Sequence, residues 1–142
     1  MNLPHVLLVE DDQNTREGLV EILSYEGYTV DTANNGREGI AAARPEVDIV
    51  VSDLRLPDLS GLQVVAAVKR VNSGAASIIM TAYTTPESYT AGKKTGIDFW
   101  LTKPLDIERL LSAVEDALLR VRQNLHCAQS VSDANVVARH AS

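Results

Sequence analysis

Three stretches of this chain, Val6-Leu7-Leu8-Val9, Ile49-Val50-Val51 and Ile78-Ile79-Met80, are apolar at every position rather than at every second one. Each is too short for a helix, and a strand without polar alternation has both faces buried. Such strands belong to parallel sheets covered by helices on either side. A tight hairpin cannot join parallel strands, so each gap must hold a crossover element.

The gaps have that content. After the first run, Leu19, Ile22 and Leu23 mark a helical face, with Gly27 placed as its C-terminal cap. Tyr28 to Thr32 reads as a second strand, Asn34-Asn35-Gly36 as a turn, and 37–44 as a short helix closed by Pro45. The third strand, Ile49 to Ser52, ends at Asp53, and Pro57 and Gly61 punctuate the loop beyond it. Leu62, Val65, Ala66 and Val68 give the next helix its apolar side, stopped by Asn72-Ser73-Gly74. The fourth strand, Ser77 to Met80, ends at Thr81. Pro86 suits the first residue of a fourth helix, which Gly96 ends. A short fifth strand, Phe99 to Leu101, precedes Lys103-Pro104, and a last helix runs from Asp106 as N-cap to about Gln123. Five strands alternating with five helices imply an α/β domain, a five-stranded doubly wound parallel sheet with helices on both faces. The flavodoxin-like strand order 2-1-3-4-5 is the natural choice for five such units.

Each of four strands stops at a residue able to do chemistry: Glu10-Asp11 after the first, Asp53 after the third, Thr81 at the fourth and Lys103 after the fifth. In open α/β sheets ligands bind outside the carboxyl ends of the strands, where the winding direction switches. In the order 2-1-3-4-5 that switch lies between strands one and three, the two that end in carboxylates. Carboxylates gathered there repel unless a cation joins them. Oxygen donors without His or Cys favour Mg2+, which takes one or two carboxylates and keeps waters. Lys103 adds positive charge for a phosphoryl group, the Thr81 hydroxyl a hydrogen bond, and one carboxylate a nucleophile. Taken singly, each residue has a plainer role: Asp11 or Asp12 as helix cap, Asp53 as turn residue, Thr81 as strand end, Lys103 as solvated charge. The joint placement is what points to a site.

A net charge of −6 argues against a basic nucleic-acid-binding face and suits carboxylates gathered around a cation. The single cysteine, Cys127, excludes an internal disulfide and a multi-cysteine zinc site. No run approaches the ~18 apolar residues of a membrane span, and the N-terminus lacks the basic and apolar regions of a secretory signal, so the expected location is the cytoplasm.

Val-Leu-Leu-Val-Glu-Asp-Asp (6–12), Asp53-Leu-Arg-Leu-Pro-Asp-Leu-Ser-Gly61, Met80-Thr-Ala82 and Leu101-Thr-Lys-Pro104 resemble, as a set, the signature blocks of response-regulator receiver domains of two-component signalling. The resemblance spans residues 5–123. It implies that Asp53 accepts a phosphoryl group from a sensor histidine kinase in a Mg2+-dependent reaction. Asp11 would be a direct metal ligand, Glu10 a ligand through water, and the Arg55 backbone carbonyl would complete the protein's set. Glu10-Asp11 is preferred to Asp11-Asp12 because Arg16 matches the family's helix-one arginine only in that register. Thr81 would be the switch hydroxyl and Lys103 the phosphate-binding lysine, with Pro104 after it commonly joined through a cis bond. The domain would be a phosphorylation-controlled switch that assists its own phosphotransfer and autodephosphorylation, not a turnover enzyme. The Leu-Arg-Leu-Pro-Asp-Leu-Ser-Gly block looks most like receivers of NtrC-like transcription activators.

Two positions depart from the family pattern. Leu56 replaces the usual Met before Pro57, a volume-conserving change. Trp100 stands where a Tyr or Phe usually rotates with the switch threonine, and the indole is larger and has an N–H that needs a partner when buried. Two other classes fit the sequence less well. A Mg2+-dependent phosphatase usually has a second Asp just after its nucleophile, and position 55 is Arg. An FMN carrier needs a Ser/Thr/Gly-rich loop after the first strand, where this chain has Glu-Asp-Asp.

The domain is assigned to residues 1–123, and 124–142 are expected to be a poorly ordered tail or the start of a linker. Ile107, Leu110, Leu111, Val114, Leu118 and Val121 should be covered by the sheet. Leu111, Val114, Leu118, Val121 and Leu125 also follow the 3-4-3-4 spacing of a coiled-coil seam, so a homodimer is expected through the end of the last helix or through the face of helix four, strand five and helix five.

Overall fold

The computed structural model describes residues 3–82 and 84–138, with side chains described to residue 123. Strands and helices alternate: β1 (His5–Val9), α1 (Gln13–Tyr25), β2 (Thr29–Ala33), α2 (Gly36–Ala41), β3 (Ile49–Asp53), α3 (Gly61–Val71), β4 (Ala76–Thr81), α4 (Pro86–Thr95), β5 (Phe99–Thr102) and α5 (Ile107–Ala138). The strands pair in parallel in the order β2-β1-β3-β4-β5, the order expected.

The uninterrupted apolar runs divide by parity, because successive side chains of a strand leave opposite faces. Val6, Leu8, Ile49, Val51, Ile78 and Met80 pack with Leu19 and Leu23 of α1 and with Leu110, Val114 and Ala117 of α5. Leu7, Val9, Val50 and Ile79 pack with Val64, Val65 and Val68 of α3. Two cores, one per face, hold the sheet between helix layers.

Helix ends follow local chemistry, with some departures. Asp12 caps α1, accepting from the Thr15 N–H at 2.9 Å. The Thr15 hydroxyl, which also donates to it, holds the Asp12 carboxyl below its usual range. Asn35 is the N-cap of α2 rather than a turn residue, accepting from Glu38 N at 2.8 Å, and Gly36 is already helical. α2 stops at Ala41, short of the expected residue 44. Pro45 disfavours helical backbone at Arg44, and the last bond tightens to Ala43 N with Ile40 O. In α3 it is Val64 that is buried, where Ala66 was expected. Gly96, with φ of 88°, ends α4 in the left-handed region that glycine tolerates. The Lys103-Pro104 bond is cis.

The largest departure is in α5, which continues to Ala138 instead of ending near Gln123. No Gly or Pro occurs from Asp106 onward, so a helix nucleated against the sheet meets nothing that breaks it. Asp106 Oδ1 caps its start, accepting from Glu108 N at 2.9 Å. Leu110, Val114 and Val121 are buried under the sheet, Leu111 and Leu118 are half-buried, and Ile107 is exposed, contrary to expectation. The Leu125 side chain and residues 139–142 lie outside what is described.

Two glycine substitutions separate close approach from mere permissiveness. A Cβ on Gly61 would stand 2.0 Å from the Asp53 carbonyl oxygen, so Gly61→Ala should cost about 1–3 kcal/mol, as overpacking does. A Cβ on Gly18, inside α1, meets nothing within 4 Å. Gly18→Ala should therefore stabilise by roughly 0.5–1 kcal/mol. Urea unfolding of both variants checks the pair; equal shifts of one sign would contradict the geometry.

Candidate functional site

The parallel register aligns the strand ends. Val9 sits opposite Ser52, Asp53 opposite Met80, and Thr81 opposite Thr102. Residues that follow those positions therefore reach the same edge of the sheet. From β1 the order proceeds outward to β2, and from β3 outward to β4 and β5, so the winding diverges between β1 and β3 and leaves a crevice there. Asp11, Asp53, Arg55, Met80, Thr81, Ala82 and Lys103 line a hollow of about 170 Å³ at this place.

Glu10 is 1% exposed and Asp53 4%, while Asp11 faces solvent. The Lys103 ammonium reaches both buried carboxylates. Its Nζ forms an ion pair with Asp53 Oδ1 at 2.5 Å. It donates to Glu10 Oε1 at 3.2 Å. The other Glu10 oxygen, Oε2, is buried with no hydrogen-bond partner among the described residues. Burial pushes the Asp53 carboxyl above its usual range, and Lys103 only partly offsets that. Arg16 Nη1 donates to the Glu10 carbonyl at 2.9 Å and ties the first turn of α1 to the end of β1.

One oxygen each from Glu10, Asp11 and Asp53 lies within 4.8 Å of the others. A cluster of carboxylates, one with an unsatisfied buried oxygen, suits a hard divalent cation of the Mg2+ type. The open side toward Asp11 leaves room for water or a phosphoryl oxygen.

Six of the expected residues thus come together: Asp11, Asp53, Arg55, Thr81 and Lys103 on the crevice wall, and Glu10 beside it. Trp100 does not line the crevice. It is set back against α4, where a Cβ on Gly92 would stand 2.2 Å from its Cζ2, and its ring centroid lies 5.8 Å from that of Tyr89. Met80 and Ala82, which flank Thr81 in its signature block, also line the wall, although an apolar side chain carries no chemical signal of its own in the sequence. Asp58 was also passed over. It lies in the loop after β3 and bonds to the start of α2, a contact that no local spacing announces.

Residues 6–115 match the family model for the response regulator receiver domain. The chain is 40% identical over 115 residues to the transcriptional regulatory protein GlrR of Escherichia coli K12, covering 80% of this chain and 26% of that protein. It is 32% identical over 135 residues to the transcriptional regulatory protein PcoR of Escherichia coli, covering 94% and 60%. The chain thus spans only part of the length of these relatives. The chemotaxis protein CheY4 of Vibrio cholerae superposes with a TM-score of 0.76 at 32% identity, over 82% of this chain and all of that one. A CheY-like receiver domain protein from Methanospirillum hungatei gives 0.82 at 27% identity, over 87% and 99%.

The burial of Asp53 has a measurable consequence in metal-free protein. Its raised carboxyl pKa means that the folded state holds the proton more tightly than the unfolded state does. The cost is full above the folded value, is relieved as pH falls through that value, and is gone below the ordinary value of 3.8. Asp53→Asn should therefore be more stable than the parent at pH 7 in EDTA, with the advantage shrinking as pH falls toward 4. Urea unfolding at the two pH values decides it; a variant less stable at pH 7 would mean that the Lys103 pair outweighs desolvation.

Proposed function

The chain belongs to the response regulator receiver domain family, and on that premise we propose that Asp53 is its phosphoacceptor. Receiver domains are phosphorylation-controlled switches of two-component regulators, partnered by histidine kinases and in general Mg2+-dependent. The observation that carries the residue assignment is the Asp53 carboxylate, buried at the carboxyl edge of β3, held by Lys103 and open to the crevice.

A phosphohistidine presented by the kinase places its phosphorus in the crevice. An Asp53 oxygen attacks in line. The new O–P bond forms as the P–N bond breaks, and the released imidazole takes up a proton. Lys103, already within reach of Asp53, neutralises charge on the phosphoryl oxygens. Glu10, Asp11, Asp53 and the Arg55 carbonyl would hold Mg2+, which when bound supplies positive charge against the gathered carboxylates and phosphoryl oxygens. The Thr81 hydroxyl donates a hydrogen bond to the phosphoryl group and is drawn inward. Trp100 and the face formed by α4, β5 and α5 respond as a shift between two populated states. Water later attacks phosphorus, releasing phosphate and restoring the carboxylate.

By likeness to the transcriptional regulators it matches, the output under this control is transcription, as in NtrC-like activators, and the setting is the cytoplasm. Among the described residues no helix is long and apolar enough to cross a membrane. The stretch 124–142 would begin the linker to the output. A homodimer would carry the signal between subunits. Val114 and Val121 are taken up by the chain's own core and Leu111 and Leu118 pack partly against it, so among the described residues of the helix the exposed apolar side chains left for pairing are Ile107 and Leu119.

Incubation with acetyl phosphate and Mg2+ should add one phosphoryl group by intact-mass measurement. Asp53→Asn should abolish the addition and Lys103→Ala should slow it; undiminished labelling of the Asn variant would sink the assignment. Sedimentation velocity at tens of micromolar protein, with and without beryllofluoride, should show a weak dimer strengthened by the phosphoryl mimic. A single monomeric boundary in both states would retire the dimer.

A further inference from the structure

The loop between β3 and α3 carries Arg55 into the crevice wall, yet its outer end is fastened elsewhere. Asp58 Oδ1 accepts from Gly36 N at 2.8 Å and Oδ2 from Arg37 N at 3.0 Å. Burial alone would raise the Asp58 carboxyl, but these amides, with those of Asp58 and Leu59, hold it below the usual range. One side chain thus takes the two leading amides of α2, while Asn35 takes the next, that of Glu38. The next residue, Leu59, presses on the same place: a Cβ on Gly36 would stand 2.6 Å from Leu59 Cβ.

Inside the loop, Arg55 and Ser60 form an antiparallel bridge, and Leu56 N donates to Leu59 O at 3.2 Å. At its root, Leu54 N donates to Met80 O and Gly61 N to Leu54 O, each at 2.8 Å. The strand that carries Arg55 is therefore paired with the strand that Asp58 and Leu59 anchor to α2. The root bonds fix where the loop starts and ends. The Asp58 and Leu59 contacts with α2 hold its tip, which is one ladder bond from Arg55.

We propose that Asp58 is a positioning residue: by clamping the loop tip to α2 it holds the Arg55 backbone where the crevice needs it, and so sets the affinity for the divalent cation. The inference rests on reading the crevice as a Mg2+ site. Asp58 touches neither the cation's carboxylates nor the phosphoryl group, so its removal acts on cation affinity and leaves the chemical step alone.

The test compares four variants with the parent, using calorimetric titration with MgCl2 and the Mg2+ dependence of phosphorylation by acetyl phosphate. Asp58→Ala should weaken Mg2+ binding by about tenfold, the low end of what loss of an outer-shell partner does. Its maximal phosphorylation rate at saturating Mg2+ should stay within about twofold of the parent's. Asp58→Asn, which keeps one acceptor oxygen, should recover most of the affinity. Asn35→Ala removes a cap from the same helix without touching the loop; it should lower the melting temperature as Asp58→Ala does and leave Mg2+ affinity unchanged. Asp11→Ala tests the underlying reading. If Asp11→Ala binds Mg2+ like the parent, the crevice is not the metal site and both readings fall. If Asp11→Ala loses binding but Asp58→Ala titrates like the parent, the positioning role alone is overturned. Equal losses in Asp58→Ala and Asn35→Ala would also overturn it, since the effect would then follow helix stability and not the clamp.

Discussion

Lys103 Nζ lies 2.5 Å from Asp53 Oδ1 and 3.2 Å from Glu10 Oε1, and without it two buried carboxylates would face each other across the β1–β3 seam. Removing a charged group from water costs several kcal/mol per ion even after relaxation. The edge of the sheet is therefore a place where the fold gives up stability in order to keep negative charge out of solvent. Lys103 compensates in part. The charge that it leaves uncompensated, with Glu10 Oε2 buried and without a hydrogen-bond partner among the described residues, is what makes the place receptive to a further cation.

That arrangement depends on the sheet being parallel and in register. Lys103 is ninety-three residues from Glu10 in the chain, and the parallel direction of the strands puts the end of β5 on the same edge as the ends of β1 and β3. The cores on the two faces are what keep the register, since sliding a strand by one residue would send Val6 and Leu8 to the face that Leu7 and Val9 now fill. The crevice is thus maintained by apolar packing some distance from it. Trp100 belongs to that packing: tight against Gly92 of α4 and near Tyr89, it links the β5 edge to a helix and not to the crevice itself.

The family, the alternation of elements and the strand-end residues were legible in the sequence because they rest on local signals. Val6-Leu7-Leu8-Val9 followed by acids, Asp53 after Ile49-Val50-Val51-Ser52, and Lys103 before Pro104 carry their meaning in the chain order itself. Helix stops set by Gly96 and starts set by Asp12 and Pro86 are of the same kind, one residue answering to its own backbone. What the tertiary structure decided are the contacts between residues far apart in sequence. Asp58 reads as a loop acid until the fold brings α2 within hydrogen-bond reach. The close approach of Trp100 to Gly92 of α4 is likewise invisible in the chain order. Asn35 reads as a turn residue until Gly36 joins the helix. The reach of α5 beyond Gln123 and the exposure of Ile107 belong here too, since polar residues continue a helix once the sheet has nucleated it, and the sheet's edge decides which apolar side chains it covers. Local chemistry is written along the chain; which surfaces meet is settled only when the two cores close around the sheet.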